Sequence, residues 1–347
     1  MKNMEIVLAL IPALMGYPEE TGFGAFLRSQ VTLLYKELDG LGLTWKLGEE
    51  CFLVKISILR NRAYARFTFP GYAPAEWVCQ ITSDRDMTEY LNARSEEFSA
   101  ALLEQIGDRA LLDGIDWLEE TEIDVARELD KRVKDLVIAV NLASPGLFQI
   151  GTGLIRIGEQ ERGVIEGINN SLVMAYEEAW EKNWPEFVPV TVGEIWEWMN
   201  EKTHVMDNVG HTPADRALNA FSYTFNSNHY EDLFYVLLGV EALYNTGRAD
   251  GIKEQLRTKT SALFGEPSEY KKRIGRMYDA RSAFVHGRMN FPGKFHIRDA
   301  QEEFEKFYRE DYESTVNTAL CILIATLRKL VRENAQELKS TVSVELR

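Results

Sequence analysis

Tyr278-Asp279-Ala280-Arg281-Ser282-Ala283-Phe284-Val285-His286-Gly287 is the stretch whose reading decides the C-terminal fold. It reads as the end of a helix that starts near Pro267, with Gly287 supplying the left-handed residue that closes many helices. On an ideal helix of about 100° per residue with Arg281 at 0°, Tyr278 lies at about 60°, Ser282 at about 100°, His286 at about 140° and Asp279 at about 160°. Ala280, Phe284 and Met277 fall at about 260°, 300° and 320° on the other side, with Val285 the exception at about 40°. One side is a polar arc ending in an imidazole; the other packs. Arg281 and His286 flank a groove with Ser282 between them, and His286 sits at a helix C-terminus, where the helix dipole favours cations.

Working outward, the flanking sequence is helical as well. Thr212 followed by Pro213 is an N-cap and first-turn signature and opens a helix to about residue 225. A second, over about 229–245, carries Leu233, Val236, Leu237, Val240 and Leu243 at three- and four-residue spacing. A third covers about 249–264 and stops at Gly265; after the helix of the motif, Asn290–Gly293 reads as loop and a last helix runs from about Asp299 to Leu338. Helices joined by short loops imply an antiparallel bundle over residues 206–347. The boundary is set in the polar stretch Thr203–Gly210. His204, Asp207 and the following His211 are residue types that ligate metals, but a polar loop before a helix is the commoner meaning of such a cluster.

Residues 1–205 read as an α+β or mixed helical domain, making the whole chain mainly α. Cys51–Leu59 (CFLVKISIL) and Tyr64–Phe69 (YARFTF), separated by Arg60-Asn61-Arg62 and closed by Pro70-Gly71, predict a short β-hairpin. Helical patterning follows from Ser83 to about Val140 and stops at Ser144-Pro145-Gly146. Within it, Asp113–Asp130 holds eight acidic residues against Arg127 alone, a pattern usual for a solvated helix face. Gly151-Thr152-Gly153 has neither the further glycine nor the lysine of a phosphate loop and reads as a turn before a strand Leu154–Ile157. Trp180, Trp184, Trp196 and Trp198 crowd one stretch, as packing groups or as a partner surface.

The 347 residues carry a formal charge of −15, which excludes a protein that coats nucleic acid through a global positive field. From Asp250 to Lys294, however, the net charge is +5, leaving −20 for the remainder. Lys271, Lys272, Arg273, Arg276 and Arg288, with the aromatic Tyr278, are the candidate RNA contacts in this basic island. Three scattered cysteines, with no Cys-x-x-Cys pair, give neither a disulfide framework nor a structural zinc site and point to a reducing compartment. Met1–Met15 is a poor leader, interrupted by Glu5 and Pro12, and reads as a buried segment. Ala319–Leu327 is too short an apolar run to span a membrane. The expectation is a soluble, cytoplasmic protein with no membrane partner.

RNA cleavage by 2′-hydroxyl attack requires a group that moves a proton and a cation that holds the scissile phosphate. An imidazole does the first and a guanidinium the second, so Arg281, His286 and the intervening Ser282 are the candidate catalytic residues. No cofactor and no metal is called for. The alternative is that Arg281 and His286 only cap and buttress the bundle.

The run YDARSAFVHGR resembles the Arg-x4-His motif of the HEPN superfamily, most closely the Apea-like HEPN group. The upstream EDLFYVLLGVEALYN, with Glu241, and LRTKTSALFG, with Arg257, are similar to the helices that precede the motif there. The resemblance covers about residues 212–335. It implies a metal-independent endoribonuclease acting as a homodimer, with two motifs facing one cleft, in a toxin or antiviral defence setting. It also leaves open a non-catalytic module that binds RNA or dimerises. Many active members carry Asn, Asp or His after the arginine, where this chain has Ser282. For residues 1–205 the sequence suggests only a protein partner or ligand.

Overall fold

The run Met4–Ile11 is apolar at nearly every position because it is an interior strand. In a computed structural model, which describes residues 2–11, 17–18, 20–60, 75–107, 112, 114–207, 210–226, 230–245, 252–288 and 313–339, it forms β1. It is flanked in a six-stranded antiparallel sheet by β4 (Trp77–Ser83) and β5 (Gln149–Ile157). The sheet order is β2-β3-β4-β1-β5-β6, with β2 at Gly42–Leu47, β3 at Glu50–Arg60 and β6 at Gln160–Ile165. Ile6 lies opposite Ile81 and Ile155, while the next residue, Val7, joins Ala9, Ala75 and Val78 in a second cluster. A strand buried on both faces loses the polar alternation that β2 and β3 retain.

This sheet replaces the short hairpin expected from the sequence. Cys51–Leu59 does lie within a strand, but the partners of β3 are β2 and β4; Tyr64–Phe69, Asn61, Arg62 and Pro70-Gly71 lie outside the described residues. Gly151-Thr152-Gly153 is not a turn but part of β5. Gly153 is a packing glycine: a Cβ there would stand 2.7 Å from Leu8 Cδ2.

Three helices accompany the sheet: α1 (Gly22–Leu38), α2 (Thr88–Ile106) and α3 (Trp117–Ala143). Along α3, Val125, Ala126, Leu129, Val133 and Leu136 are buried at helical spacing. The acidic run at its start is not merely a solvated face. Glu122 is buried and paired with both Lys2 and Arg162, and Arg162 also reaches Glu119 at 2.6 Å. Asp124 and Glu128 hold Arg94 at 2.9 and 2.6 Å. A carboxylate leaves water only when cations replace the lost hydration, and those partners come from distant parts of the chain.

The chain divides into two compact units, Met1–Val137 with Leu147–Asn169, and Ile138–Gly146 with Asn170–Arg347. The division thus falls about 35 residues before the expected boundary at 205/206. Its cause is packing. The second unit is built around α10 (Glu313–Arg332), on which α4 (Leu172–Lys182), α5 (Val192–Lys202), α6 (Pro213–Ser222), α7 (Tyr230–Tyr244) and α9 (Tyr270–Val285) all pack. α8 (Ile252–Phe264) packs on α7 and α9. Trp184 donates through its indole to the Phe264 carbonyl at 3.2 Å and Trp198 to that of Ala335 at 2.8 Å, so both belong to this unit's interior, whereas Trp180 is exposed.

Helix α10 from Ser314 is long and apolar enough to cross a membrane by length and composition, yet 83% of that stretch is buried against its neighbours. Tyr244 and Thr326 share a buried hydroxyl hydrogen bond of 2.7 Å, and the Cys321 thiol donates to the Ala175 carbonyl at 3.0 Å. The helix ends at Arg332 rather than Leu338, with Asn334 in the left-handed region; its expected start at Asp299 and the loop Asn290–Gly293 lie outside the described residues.

Candidate functional site

Helix α9 forms as its pattern predicts, from Tyr270 to Val285. Ile274 and Met277 are buried toward the unit's interior. Gly287, at φ +64°, turns the chain, and the Arg288 N–H then donates to the Ala283 carbonyl at 2.7 Å. That bond, from the second residue past the cap back into the last turn, is the signature of a Schellman closure. His286 lies just beyond the helix, exposed, its backbone N–H on the Ser282 carbonyl at 3.1 Å.

Arg281 does not face open solvent. Its Nε and Nη2 donate to the two carboxylate oxygens of Glu241 on α7, at 2.7 and 3.2 Å. Both side chains are about three-quarters buried or more, at 26% and 19% exposure. A two-point guanidinium–carboxylate pair fixes the plane of the guanidinium and leaves its Nη1–Nη2 edge as the one a phosphate would meet. Around the pair is a cavity of about 30 Å³ lined by Phe234, Leu237, Leu238, Glu241, Arg281 and Val285. Phe234, Leu238 and Val285 are exposed. Val285, the exception to the helical arc, therefore shares its surroundings with Arg281.

The predicted site residues are brought together only in part. Arg281 joins Glu241 and Val285. Ser282 lies within reach of Arg288, whose Nη2 donates to its Oγ at 3.1 Å. His286 does not line the cavity beside Arg281. Of the basic island, Lys253 pairs with Asp279, Arg257 with Glu254, Lys272 with Glu269 and Arg273 with Glu178. Glu178 also takes Lys182 at 2.6 Å and the Thr318 hydroxyl at 3.1 Å, so Arg273 serves packing between helices. Lys271, Lys272, Arg276 and Arg288 are exposed. Tyr278 lies under Lys253, whose Nζ is 5.5 Å from the ring centre. Two acids from outside the island, Glu178 and Glu241, thus offset part of its positive charge.

Next to this site lies a larger cavity of about 630 Å³, which no sequence pattern singles out. Arg216, Asn219 and Tyr223 reach it from α6 and the residue after it, and Tyr235, Leu238 and Glu241 from α7. The Tyr223 and Tyr235 rings stack at 4.4 Å and 12°. Leu238 and Glu241 line both cavities, so the two adjoin at these side chains. Tyr223 and Tyr235 belong to different helical segments, and nothing in their spacing signals that the rings meet.

Of the His204, Asp207, His211 cluster, the two histidines have a structural role through their backbone. Asp215, fully buried, accepts the backbone N–H groups of His204, His211 and Thr212 at 2.9, 2.9 and 2.8 Å. With the Thr212 hydroxyl it completes the capping box of α6. The two imidazole rings meet edge to face at 5.3 Å. No group of three or more potential metal ligands occurs among the described residues.

Burial pushes the Asp215 carboxyl pKa up, but its backbone and hydroxyl donors outweigh that and hold it below the ordinary value. A depressed carboxylate stabilises the fold above its unfolded pKa, and that stability is lost as pH falls through the folded one. Asp215→Asn is therefore expected to lower the urea midpoint at pH 7, with the gap from wild type closing as pH drops below about 4. A gap of equal size at pH 7 and pH 3 would contradict this assignment.

No protein-family model, curated protein or solved structure matches the chain.

Proposed function

We propose that the second unit is a HEPN-type endoribonuclease working as a homodimer, in which Arg281 holds the scissile phosphate and His286 transfers the proton. The observation that carries this reading is the Arg281–Glu241 pair: a guanidinium oriented at two points, five residues before an exposed histidine at a helix end. In the reaction, one imidazole takes the 2′-hydroxyl proton and the freed oxygen attacks the adjacent phosphorus. A 2′,3′-cyclic phosphate forms, the 5′-oxygen leaves, and an imidazolium returns a proton to it. Two copies of His286 facing one cleft divide the roles of base and acid. Exposed Phe234 and Val285 beside Arg281 offer an apolar seam for the second copy to cover.

A second reading is favoured by the neutralising Glu241 carboxylate and by Arg288 on Ser282: a HEPN-like module that binds RNA or dimerises without cutting. His286→Ala separates the two. The expected result is a loss of about 10²–10⁴-fold in cleavage of a single-stranded RNA, with RNA affinity and thermal midpoint near wild type, and wild-type cleavage undiminished by a chelator. Equal RNA survival with wild type and variant would rule out the enzyme.

A further inference from the structure

We propose that the cavity beside Tyr223 and Tyr235 is a nucleobase subsite, which seats one base of the RNA strand whose phosphate meets Arg281. This proposal rests on the ribonuclease reading above. The cavity's volume, about 630 Å³, is in the range of roughly 300–1,000 Å³ typical of small-molecule clefts. Its chemistry suits a base better than an aliphatic group. Tyr223 is 57% exposed and is backed ring to ring by Tyr235, so a third ring can extend an existing stack. Base stacking on such a platform is tolerant of sequence.

The polar rim supports the same ligand. Asn219 and Asn245 line the cavity, and a carboxamide carries the donor and acceptor that pair with a base edge. Arg216 also lines it, tethered to the His211 carbonyl at 3.1 Å. The Glu241 charge, which would otherwise repel a polyanion, is engaged by Arg281. Because Leu238 and Glu241 line both cavities, a base in the larger one and a phosphate at Arg281 would occupy adjoining sites. The subsite positions the strand; it takes no part in bond making.

The test is fluorescence anisotropy of a labelled 2′-O-methyl RNA hexamer, which binds but has no free 2′-hydroxyl to react. Tyr223→Ala is expected to weaken binding by about five- to a hundredfold, the range supplied by stacking on one ring. Tyr223→Phe, which keeps the ring, is expected to stay within about twofold. Because Tyr223 is exposed, circular dichroism should give the same thermal midpoint for all three proteins. Equal hexamer affinity for wild type and Tyr223→Ala overturns the subsite and leaves the Arg281–His286 reading standing, since that reading depends on the cleavage loss in His286→Ala. Adenosine or uridine monophosphate bound as tightly as the hexamer overturns the strand assignment in favour of a free nucleotide. A lower molar mass for Tyr223→Ala by light scattering, with hexamer affinity unchanged, assigns the tyrosines to a second copy and overturns the proposal.

Discussion

Arg281→Ala is expected to slow cleavage of single-stranded RNA by on the order of 10²–10³-fold, the loss typical when one preorganised oxyanion donor is removed. The size follows from how the guanidinium is held. Glu241 accepts hydrogen bonds from Nε and Nη2, so in the proposed reaction the remaining edge is aimed before substrate arrives and little ordering is left for the reaction step. Arg281→Lys should recover little, because an ammonium is a point charge that cannot bond Glu241 at two positions and a phosphate at once. Glu241→Ala should cost less than Arg281→Ala, since the cation remains but loses its orientation. Removing either partner of a pair this well buried also costs about 1–3 kcal/mol of stability, so rates are to be compared well below the thermal midpoint. Full cleavage by Arg281→Ala would exclude Arg281 as the phosphate anchor.

Arg328→Leu is expected to destabilise the second unit by about 2–4 kcal/mol, lowering its thermal midpoint by on the order of 10 °C. Arg328 sits on α10 at 4% exposure. Its Nε donates to the Leu142 carbonyl at 2.7 Å, Nη2 to Ala143 at 2.6 Å and Nη1 to Val188 at 3.5 Å. The Phe187 ring lies 4.8 Å from the guanidinium carbon. Leu142 and Ala143 end α3, where helix carbonyls lack intrahelical partners; Arg328 caps that helix from 185 residues away. Burial lowers its pKa to about 10, still charged at neutral pH, so its desolvation counts against folding and the carbonyl bonds offset it. Leucine removes both contributions but leaves two helix-end carbonyls buried. If calorimetry shows Arg328→Leu as stable as wild type, desolvation cancels the bonds and a net stabilising role for the cap is refuted.

The C-terminal helices were legible because their signals are local. Thr212-Pro213 opens α6 with the expected cap, and Leu233, Val236, Leu237, Val240 and Leu243 are all buried along α7. Gly265 and Gly287, at φ +75° and +64°, follow the last residues of α8 and α9. The sheet was poorly legible for the opposite reason. β1 and β5 pair across about 140 residues, and an interior strand such as MEIVLALI has no alternation to separate it from a buried helix or a leader. The sequence reading did not foresee α1 or β2 at all.

For the site, the helical arc correctly placed Met277 inside and Arg281 on another face. It could not say what Arg281 would meet, because Glu241 is 40 residues earlier on a separate helix. Charge counting showed the +5 island but not the Glu178 and Glu241 carboxylates that partly offset it.

By itself, then, the amino-acid order determined the start of α6, the glycine-stopped ends of α8 and α9, the buried stripe of α7 and the Arg-x4-His spacing, since caps, glycine turns and 3.6-residue periodicity act within a few residues. Only the tertiary structure decided that the second unit takes in Ile138–Gly146 and the chain from Asn170 onward, that Arg281 is clasped by Glu241 and that Tyr223 meets Tyr235. Those outcomes depend on which apolar faces bury one another and which buried charges find partners, and both join segments far apart in the chain.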